Sequence, residues 1–285
     1  MKDTGLVLEG GGMRGLYTAG ALEYFLTHNI HFPYIVGVSA GASMACSYLS
    51  RQHGRNKQVN IGLVNDPRFL GFRNLLRERS LFGMNFLFDE IPTKIVPLDF
   101  KEIAESDQEL VIGTTDCRTG KPYYIKSSQC DDLLNAVRAS SSIPLLSPVV
   151  NYEGRELVDG GVADPIPIKK AEEAGYKRNI VILTREKGYR KKGSRMQRVT
   201  NKLLRKYPNL IETIETRHQL YNRTLDYIDE LEETGKIFVL RPSREVSISR
   251  TEKSQEKLTT LYEAGYSDAK ALFPDLQASN TTLPS

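Results

Sequence analysis

The sequence predicts an α/β fold in which helices flank a mainly parallel central sheet in three layers, followed by a mostly helical C-terminal region. Short apolar runs of strand length alternate with longer stretches of helical period up to residue 184. Glycine-rich turns stand where the first two of these runs pass into helices. Because alternating strands and helices build parallel sheets that are covered on both faces, the pattern favours the three-layer arrangement.

The elements of the first 184 residues follow in order from these runs. The expected strands are the apolar segments 6–8, 34–38, 110–114, 156–158 and 179–184. The expected helices are residues 14–28, 40–50, 131–139 and 167–174. In the first helix, Leu16, Ala19, Leu22, Phe25 and Leu26 recur at helical spacing and define a buried face.

The pattern changes near residue 185. Residues 187–194 are expected to form a basic loop, residues 210–234 a long helix that ends at Gly235, residues 236–240 a strand and residues 253–273 a last helix. We therefore expect a first domain of residues 1–184 and a basic, mostly helical C-terminal extension of residues 185–285.

Composition is typical of a soluble globular protein, with 40% hydrophobic and 26% charged residues. No apolar run approaches the roughly 20 residues that cross a bilayer, and no signal-peptide pattern is found. The three cysteines fit neither a disulfide framework nor a metal site. We expect a cytoplasmic protein that has no metal or cofactor and binds no nucleic acid.

The net charge of +4 is unevenly distributed. Residues 185–206 hold ten basic residues against one acidic residue, and residues 51–79 hold seven against two. Either segment can face an anionic membrane surface, and either can equally be a solvated face.

A glycine turn, residues 10–15, joins the first strand to the first helix as Gly10-Gly11-Gly12-Met13-Arg14-Gly15. Its bare N–H groups at a helix N-terminus can hold a phosphate or the oxyanion of a reaction intermediate. The turn also matches the dinucleotide fingerprint, but no acidic residue lies between Glu23 and Asp66, where the ribose-binding acid is expected. A nucleotide- or phosphate-binding module is thus the non-enzymatic alternative.

The second strand ends in Gly37-Val38-Ser39-Ala40-Gly41, a G-x-S-x-G nucleophile elbow between a strand and a helix. We expect Ser39 to be a nucleophile, with Gly37 and Gly41 leaving room for the sharp turn.

Two candidates can take the proton of Ser39. His218 has the chain order of an ordinary α/β hydrolase base, but it lies within a long helix, so a carboxylesterase using Ser39 with His218 is the alternative. Asp159 ends a short strand before Gly160 and Gly161, and it is either a base in the same crevice or a turn residue.

Together, G-G-G-x-R-G, G-x-S-x-G and D-G-G make residues 5–184 resemble the patatin-like phospholipases. The segment Ala139-Ser140-Ser141-Ser142-Ile143-Pro144 also resembles a family pattern, although by itself it is a helix end whose serines carry no chemistry.

The resemblance implies a three-layer fold and a Ser-Asp dyad without histidine. It implies that Ser39 is the nucleophile, Asp159 the general base and the backbone of Gly10, Gly11 and Gly12 the oxyanion hole, while Arg14 supports the loop or binds a lipid phosphate. Gly15, Gly37, Gly41, Gly160 and Gly161 are the motif glycines. The implied substrates are (lyso)phospholipid or related lipid esters, cleaved through an acyl-enzyme without calcium, by an enzyme that can associate peripherally with an anionic membrane.

Overall fold

The structure, a computed structural model, describes residues 1, 3–193, 197–244 and 247–281. Its strands are β1 (Thr4–Leu8), β2 (Tyr34–Val38), β3 (Glu109–Asp116), β4 (Pro122–Lys126), β5 (Val150–Tyr152), β6 (Arg155–Asp159), β7 (Arg178–Ile182) and β8 (Phe238–Leu240). Its α-helices are α1 (Leu16–Thr27), α2 (Ala40–Leu49), α3 (Arg55–Lys57), α4 (Phe72–Glu78), α5 (Phe100–Ala104), α6 (Leu133–Ser140), α7 (Ile168–Glu173), α8 (Gln197–Leu203), α9 (Pro208–Glu233) and α10 (Gln255–Thr281).

The eight strands form one mixed sheet in the order β5-β6-β3-β2-β1-β7-β8, with β4 also paired to β3. The five neighbouring strands β3, β2, β1, β7 and β8 are mutually parallel, whereas β4, β5 and β6 join through antiparallel pairs. This arrangement confirms the predicted, mostly parallel sheet, and the antiparallel end is a feature that the sequence analysis did not contain.

Apolar side chains alternate between the two faces of the sheet. Leu6, Leu8 and Ile35 face one core, which they share with side chains of α1, α2, α6 and α10. Val7 and Val36 face the other core, which they share with α7 and α9. The period of two in the strands thus produces the three layers.

The C-terminal region packs against the rest of the chain at several places, and two of them show how closely. Strand β8 extends the sheet beyond β7 in parallel. Helix α10 packs against α1 so closely that a Cβ on Gly265 would lie 1.9 Å from the carbonyl oxygen of Tyr17. Both contacts make residues beyond 184 part of the same core, while the division into two domains stays a prediction.

The predicted helix and strand bounds hold to within a few residues, but α10 continues past the predicted end at residue 273. The glycine turn forms a 3-10 turn over Gly12–Gly15 before α1 begins. Residues 58–62 and 86–95 form π-helical turns that the sequence did not indicate. None of the described helices is long and apolar enough to cross a membrane.

Candidate active site

Ser39 stands at the sharp turn between β2 and α2. Its backbone has φ 55° and ψ −121°, a combination that non-glycine residues rarely adopt and that nucleophile elbows impose. A Cβ on Gly37 would lie 2.8 Å from the backbone nitrogen of Ala42, and one on Gly41 would lie 2.8 Å from the carbonyl oxygen of Leu8. Steric exclusion therefore explains both motif glycines.

Ser140, at the end of α6, stabilises the turn at Ser39 through hydrogen bonds of its side chain. Its Oγ accepts a hydrogen bond of 2.8 Å from the backbone N–H of Ser39 and donates one of 2.6 Å to the carbonyl oxygen of Gly113. Sequence reasoning missed this contact because a serine at a helix end carries no signal of a partner a hundred residues away.

Asp159 reaches the same place at the end of β6. The expectation that it arrives from the carboxyl end of a parallel strand is wrong, because β6 runs antiparallel to β3. Strand β3 continues past the end of β2: its Gly113 pairs with Val38, and its next residue, Thr114, pairs with Asp159 of the returning β6, which places Asp159 level with Ser39. A long central strand and a return strand therefore bring the two side chains together.

The Asp159 carboxylate is only 7% exposed and accepts a hydrogen bond of 2.7 Å from the Gly161 N–H. Burial raises its pKa, while the charge of Arg217, a hydrogen bond from Ser39, the Gly161 N–H and the charge of Arg250 each lower it. The net direction is upward, as expected for a carboxylate that serves as a base near neutral pH.

The glycine turn lies directly beside the nucleophile, and a Cβ on Gly10 would lie 3.2 Å from the Cβ of Ser39. The Gly10 N–H makes a long hydrogen bond of 3.5 Å to Pro165. Among the described residues, no hydrogen bond engages the N–H groups of Gly11 or Gly12. Gly12 has φ +58°, a left-handed backbone conformation that glycine adopts at little cost.

Arg14 belongs to this turn, and its side chain is buried, with 7% of the residue exposed. Burial, followed by the charge of Arg185, lowers the pKa of Arg14 to about 10, and the nearby charge of Glu9 opposes this. Glu9 in turn accepts hydrogen bonds from Thr184 at 2.6 and 3.0 Å and from the Tyr221 hydroxyl at 2.6 Å. Of its two expected roles, the buried position of Arg14 fits support of the loop.

Two arginines of the C-terminal region complete the crevice around Ser39, and sequence reasoning missed both. Arg217, on α9, donates from Nε to the carbonyl oxygen of Gly161. The carbonyl oxygen of Arg250 accepts a hydrogen bond of 3.2 Å from the Met13 N–H. We call this space the serine crevice; it is lined by Gly10, Gly11, Gly12, Ser39, Ile143, Pro144, Asp159, Gly161, Val162, Arg217 and Arg250.

No histidine lines the serine crevice. His218 lies in an adjoining cavity, and its Nδ1 is 3.0 Å from the carbonyl oxygen of Glu215 in its own helix. The other histidines make their contacts elsewhere: His28 with Tyr24, His31 with Tyr48 and His53 with Glu23. Asp159 is thus the side chain in this crevice that can act as the base.

An apolar cavity opens on the α2 side of Ser39. It begins at Ser39 and Ala40 and continues between mainly hydrophobic side chains. Its apolar walls include Met44, Val59, Phe69, Phe82, Met84, Leu87, Phe88, Ile91, Leu134 and Val137. A space of this shape and chemistry can hold a hydrocarbon chain whose end is at the nucleophile.

The basic segment 185–206 is not one uniform surface. Residues 194–196, which include Arg195, lie outside the described residues. Three of its exposed cations pair with carboxylates: Lys187 with Glu232, Arg190 with Asp226 and Lys206 with Glu156. Lys191 instead faces the cavity that adjoins the serine crevice. Nowhere in the described part of the chain do three or more histidine, cysteine or acidic side chains gather as metal ligands would.

Comparisons with known proteins match two separate parts of the chain. A family model described as patatin-like phospholipase matches residues 6–172, and a model of a domain of unknown function (DUF6363) matches residues 207–280. The chain is 30% identical over 193 residues to the uncharacterized protein YjjU of Escherichia coli strain K12, covering 63% of this chain and 51% of YjjU.

A viral relative gives a similar match. The chain is 27% identical over 192 residues to the probable lipid hydrolase 463L of Invertebrate iridescent virus 6, covering 61% of this chain and 65% of that protein. The chain therefore spans about half to two thirds of these relatives. The crystal structure of VipD from Legionella pneumophila aligns with a TM-score of 0.46 at 12% identity, covering 96% of this chain and 67% of VipD.

Proposed function

Because this chain belongs to the patatin-like phospholipase family, we propose that it hydrolyses acyl esters of lipids, with Ser39 as the nucleophile and Asp159 as the general base. The observation that carries this proposal is the serine crevice itself. In it a strained elbow serine interacts with a buried carboxylate, beside backbone N–H groups that have no other partner among the described residues.

In the proposed mechanism, Asp159 takes the hydroxyl proton as Ser39 Oγ attacks the ester carbonyl carbon. The oxyanion forms beside the backbone of Gly10, Gly11 and Gly12, of which the free N–H groups of Gly11 and Gly12 are the best donors. The carbon–oxygen bond then breaks, and the departing alkoxide takes the proton from Asp159. Water attacks the acyl-serine with the same proton route and releases the fatty acid. Loss of one oxyanion donor typically reduces the rate by roughly 10²–10³.

The proposed substrates are phospholipid, lysophospholipid or related lipid esters. The apolar cavity that begins at Ser39 supports an acyl chain as the part of the substrate that is buried. One relative is named a probable lipid hydrolase, which agrees with this choice. We assign the chemistry to residues 1–184 and propose that residues 185–285 complete the wall of the crevice through Arg217 and Arg250.

We also propose that the enzyme is cytoplasmic and associates peripherally with anionic membranes through α4. Phe72 and Leu76 on this helix are 82% and 89% exposed, which is unusual for large apolar side chains. Arg73 and Arg77 lie on the same short helix. Because Phe69, just before α4, lines the apolar cavity, a membrane under α4 would lie near the path of the acyl chain.

Covalent labelling by a fluorophosphonate probe, alongside hydrolysis of a short-chain nitrophenyl ester, tests the dyad. We expect the wild type to label, Ser39→Ala to lose labelling and Asp159→Asn to label much more slowly. If Ser39→Ala labels as well as the wild type, Ser39 is not the nucleophile and the phosphate-binding alternative gains support.

A further inference from the structure

A second, basic cavity adjoins the serine crevice. The two spaces share Ile143, Pro144, Val162, Arg217 and Arg250 as a common wall. On its far side the basic cavity is lined by Lys191, Lys192 and His218. The apolar cavity reaches Ser39 between other side chains, and among the described residues Ile143 alone lines both it and the basic cavity.

The position of Lys191 is fixed by a two-way backbone contact with α9. The Lys191 N–H donates to Asn222 Oδ1 at 2.8 Å, and Asn222 Nδ2 donates to the Lys191 carbonyl oxygen at 3.1 Å. Arg250 is fixed similarly, because its carbonyl oxygen accepts from the Met13 N–H. The two cations are thus held by their backbones. The Lys191 Nζ also lies over the Tyr221 ring, 5.0 Å from its centre, a contact that keeps the ammonium group in place and leaves its hydrogen-bond donors for a ligand.

Positive charge in this cavity is poorly compensated. Burial, together with the charges of Arg217, Arg250 and Arg14, lowers the pKa of Lys191 to about 7, while the charge of Glu9 opposes this shift. Among the described residues, no carboxylate lies within ion-pair distance of Lys191, Arg217 or Arg250. The neighbouring acids are Asp159, which faces Ser39, and Glu9, which is engaged by Thr184 and Tyr221. The repulsion between these neighbouring positive charges decreases when an anion binds among them.

We infer that the basic cavity binds the phosphate group of the lipid substrate through Lys191 and Arg250, with Arg217 forming the wall between this phosphate and the ester. The inference rests on the proposed function and makes it more specific. An acyl chain in the apolar cavity and a phosphate in the basic cavity place the intervening ester carbonyl at Ser39. The C-terminal region, which supplies all three cations, is thereby the specificity-determining part of the enzyme.

The test compares two esters that differ only in the phosphate, a short-chain 1-acylglycerol 3-phosphate and the 1-acylglycerol with the same acyl chain. Both are assayed as monomers, so that binding to a lipid surface does not contribute. The variants are Lys191→Gln and Arg250→Gln. Lys187→Gln is the matched control, because Lys187 pairs with Glu232 on the surface and does not line the cavity.

We expect the wild type to prefer the phosphate ester in kcat/KM. Each cavity variant should reduce this preference roughly ten- to a hundredfold, the range for loss of one charge-assisted hydrogen bond, while Lys187→Gln keeps it. The inference is overturned if the wild type cleaves both esters equally or if the variants slow both esters by the same factor. Either result leaves the proposed hydrolase intact, provided that the nitrophenyl ester is still cleaved.

Free glycerol 3-phosphate distinguishes a headgroup site from a site for a separate phosphate compound. Competitive inhibition that weakens in Lys191→Gln supports the headgroup site when the phosphate ester is also preferred. Inhibition without such a preference assigns the cavity to a free phosphate ligand and overturns the inference. A wild type that neither labels with the fluorophosphonate nor cleaves any ester overturns the proposed function instead.

Discussion

The Oγ of Ser140 lies 2.8 Å from the backbone nitrogen of Ser39 and accepts its hydrogen bond, while donating its own proton to Gly113. A side chain at the end of α6 thus satisfies the buried N–H of Ser39 at the sharp turn between β2 and α2. The geometry of the nucleophile depends on this link as much as on the glycines of its own motif.

Replacing Ser140 by alanine should destabilise the fold and slow labelling of Ser39. The buried N–H of Ser39 and carbonyl of Gly113 lose their partner, which costs about 1–3 kcal/mol in the free energy of unfolding. Urea denaturation and the rate of fluorophosphonate labelling measure the two effects. Ser142→Ala is the control, because the Ser142 hydroxyl, two residues beyond α6, donates to the Arg138 carbonyl oxygen of that helix and not to the turn at Ser39. Equal labelling rates for Ser140→Ala and wild type would contradict the positioning role.

The pH dependence of ester hydrolysis should report the burial of Asp159. Because its pKa is raised and the base must be ionised, kcat/KM should fall on the acid side with an apparent pKa above the ordinary value of 3.8. The charge of Arg217 lowers this pKa, so Arg217→Gln should move the acid limb to still higher pH. Arg217→Lys keeps the positive charge and should leave the acid limb close to its wild-type position. A lower rate with an unmoved limb would mean that Arg217 acts only on the Gly161 turn.

His218→Gln should retain fluorophosphonate labelling and ester hydrolysis. His218 does not line the serine crevice, and its Nδ1 faces the Glu215 carbonyl oxygen. The measurement is the rate of fluorophosphonate labelling of His218→Gln, compared with the rates of the wild type and of Asp159→Asn. Loss of labelling comparable to that of Ser39→Ala would revive the Ser–His esterase.

The double variant Phe72→Ser with Leu76→Ser should bind anionic vesicles more weakly. Burial of each of these side chains contributes about 1.5–3 kcal/mol, so partitioning should fall by roughly tenfold or more per residue. Vesicle sedimentation measures the effect, with hydrolysis of a monomeric ester in parallel. Phe100→Ser is the matched control, because Phe100 is also an exposed large apolar side chain, at 41%. It begins α5, which lies near the C-terminal end of α2, whereas Ser39 precedes the N-terminal end of that helix. An equal loss of vesicle binding in the double variant and in Phe100→Ser would rule out α4 as a specific membrane-binding face.

Gly265→Val should destabilise the protein by about 1–3 kcal/mol or more, because the new side chain has no space between α10 and α1. Gly62→Ala is the control, since a Cβ there meets no atom within 4 Å. Urea denaturation followed by circular dichroism and by loss of Ser39 labelling measures both variants. Coincident transitions are expected if the C-terminal region folds with the sheet. Labelling that survives the unfolding of α10 would instead favour two independent domains.

The pattern of residues along the chain was enough to predict the α/β layering, the sharp turn at Ser39 and the glycine turn. Their signals are local: periodicity sets the buried face of each element, and glycines are required where Gly37 and Gly41 contact neighbouring backbone. Tertiary structure decided the rest. The antiparallel return of β6, the link from Ser140 to Ser39 and the entry of Arg217 and Arg250 into the crevice join residues that are far apart in the chain. Such contacts arise from chain topology and packing, which a pattern of neighbouring residues does not encode.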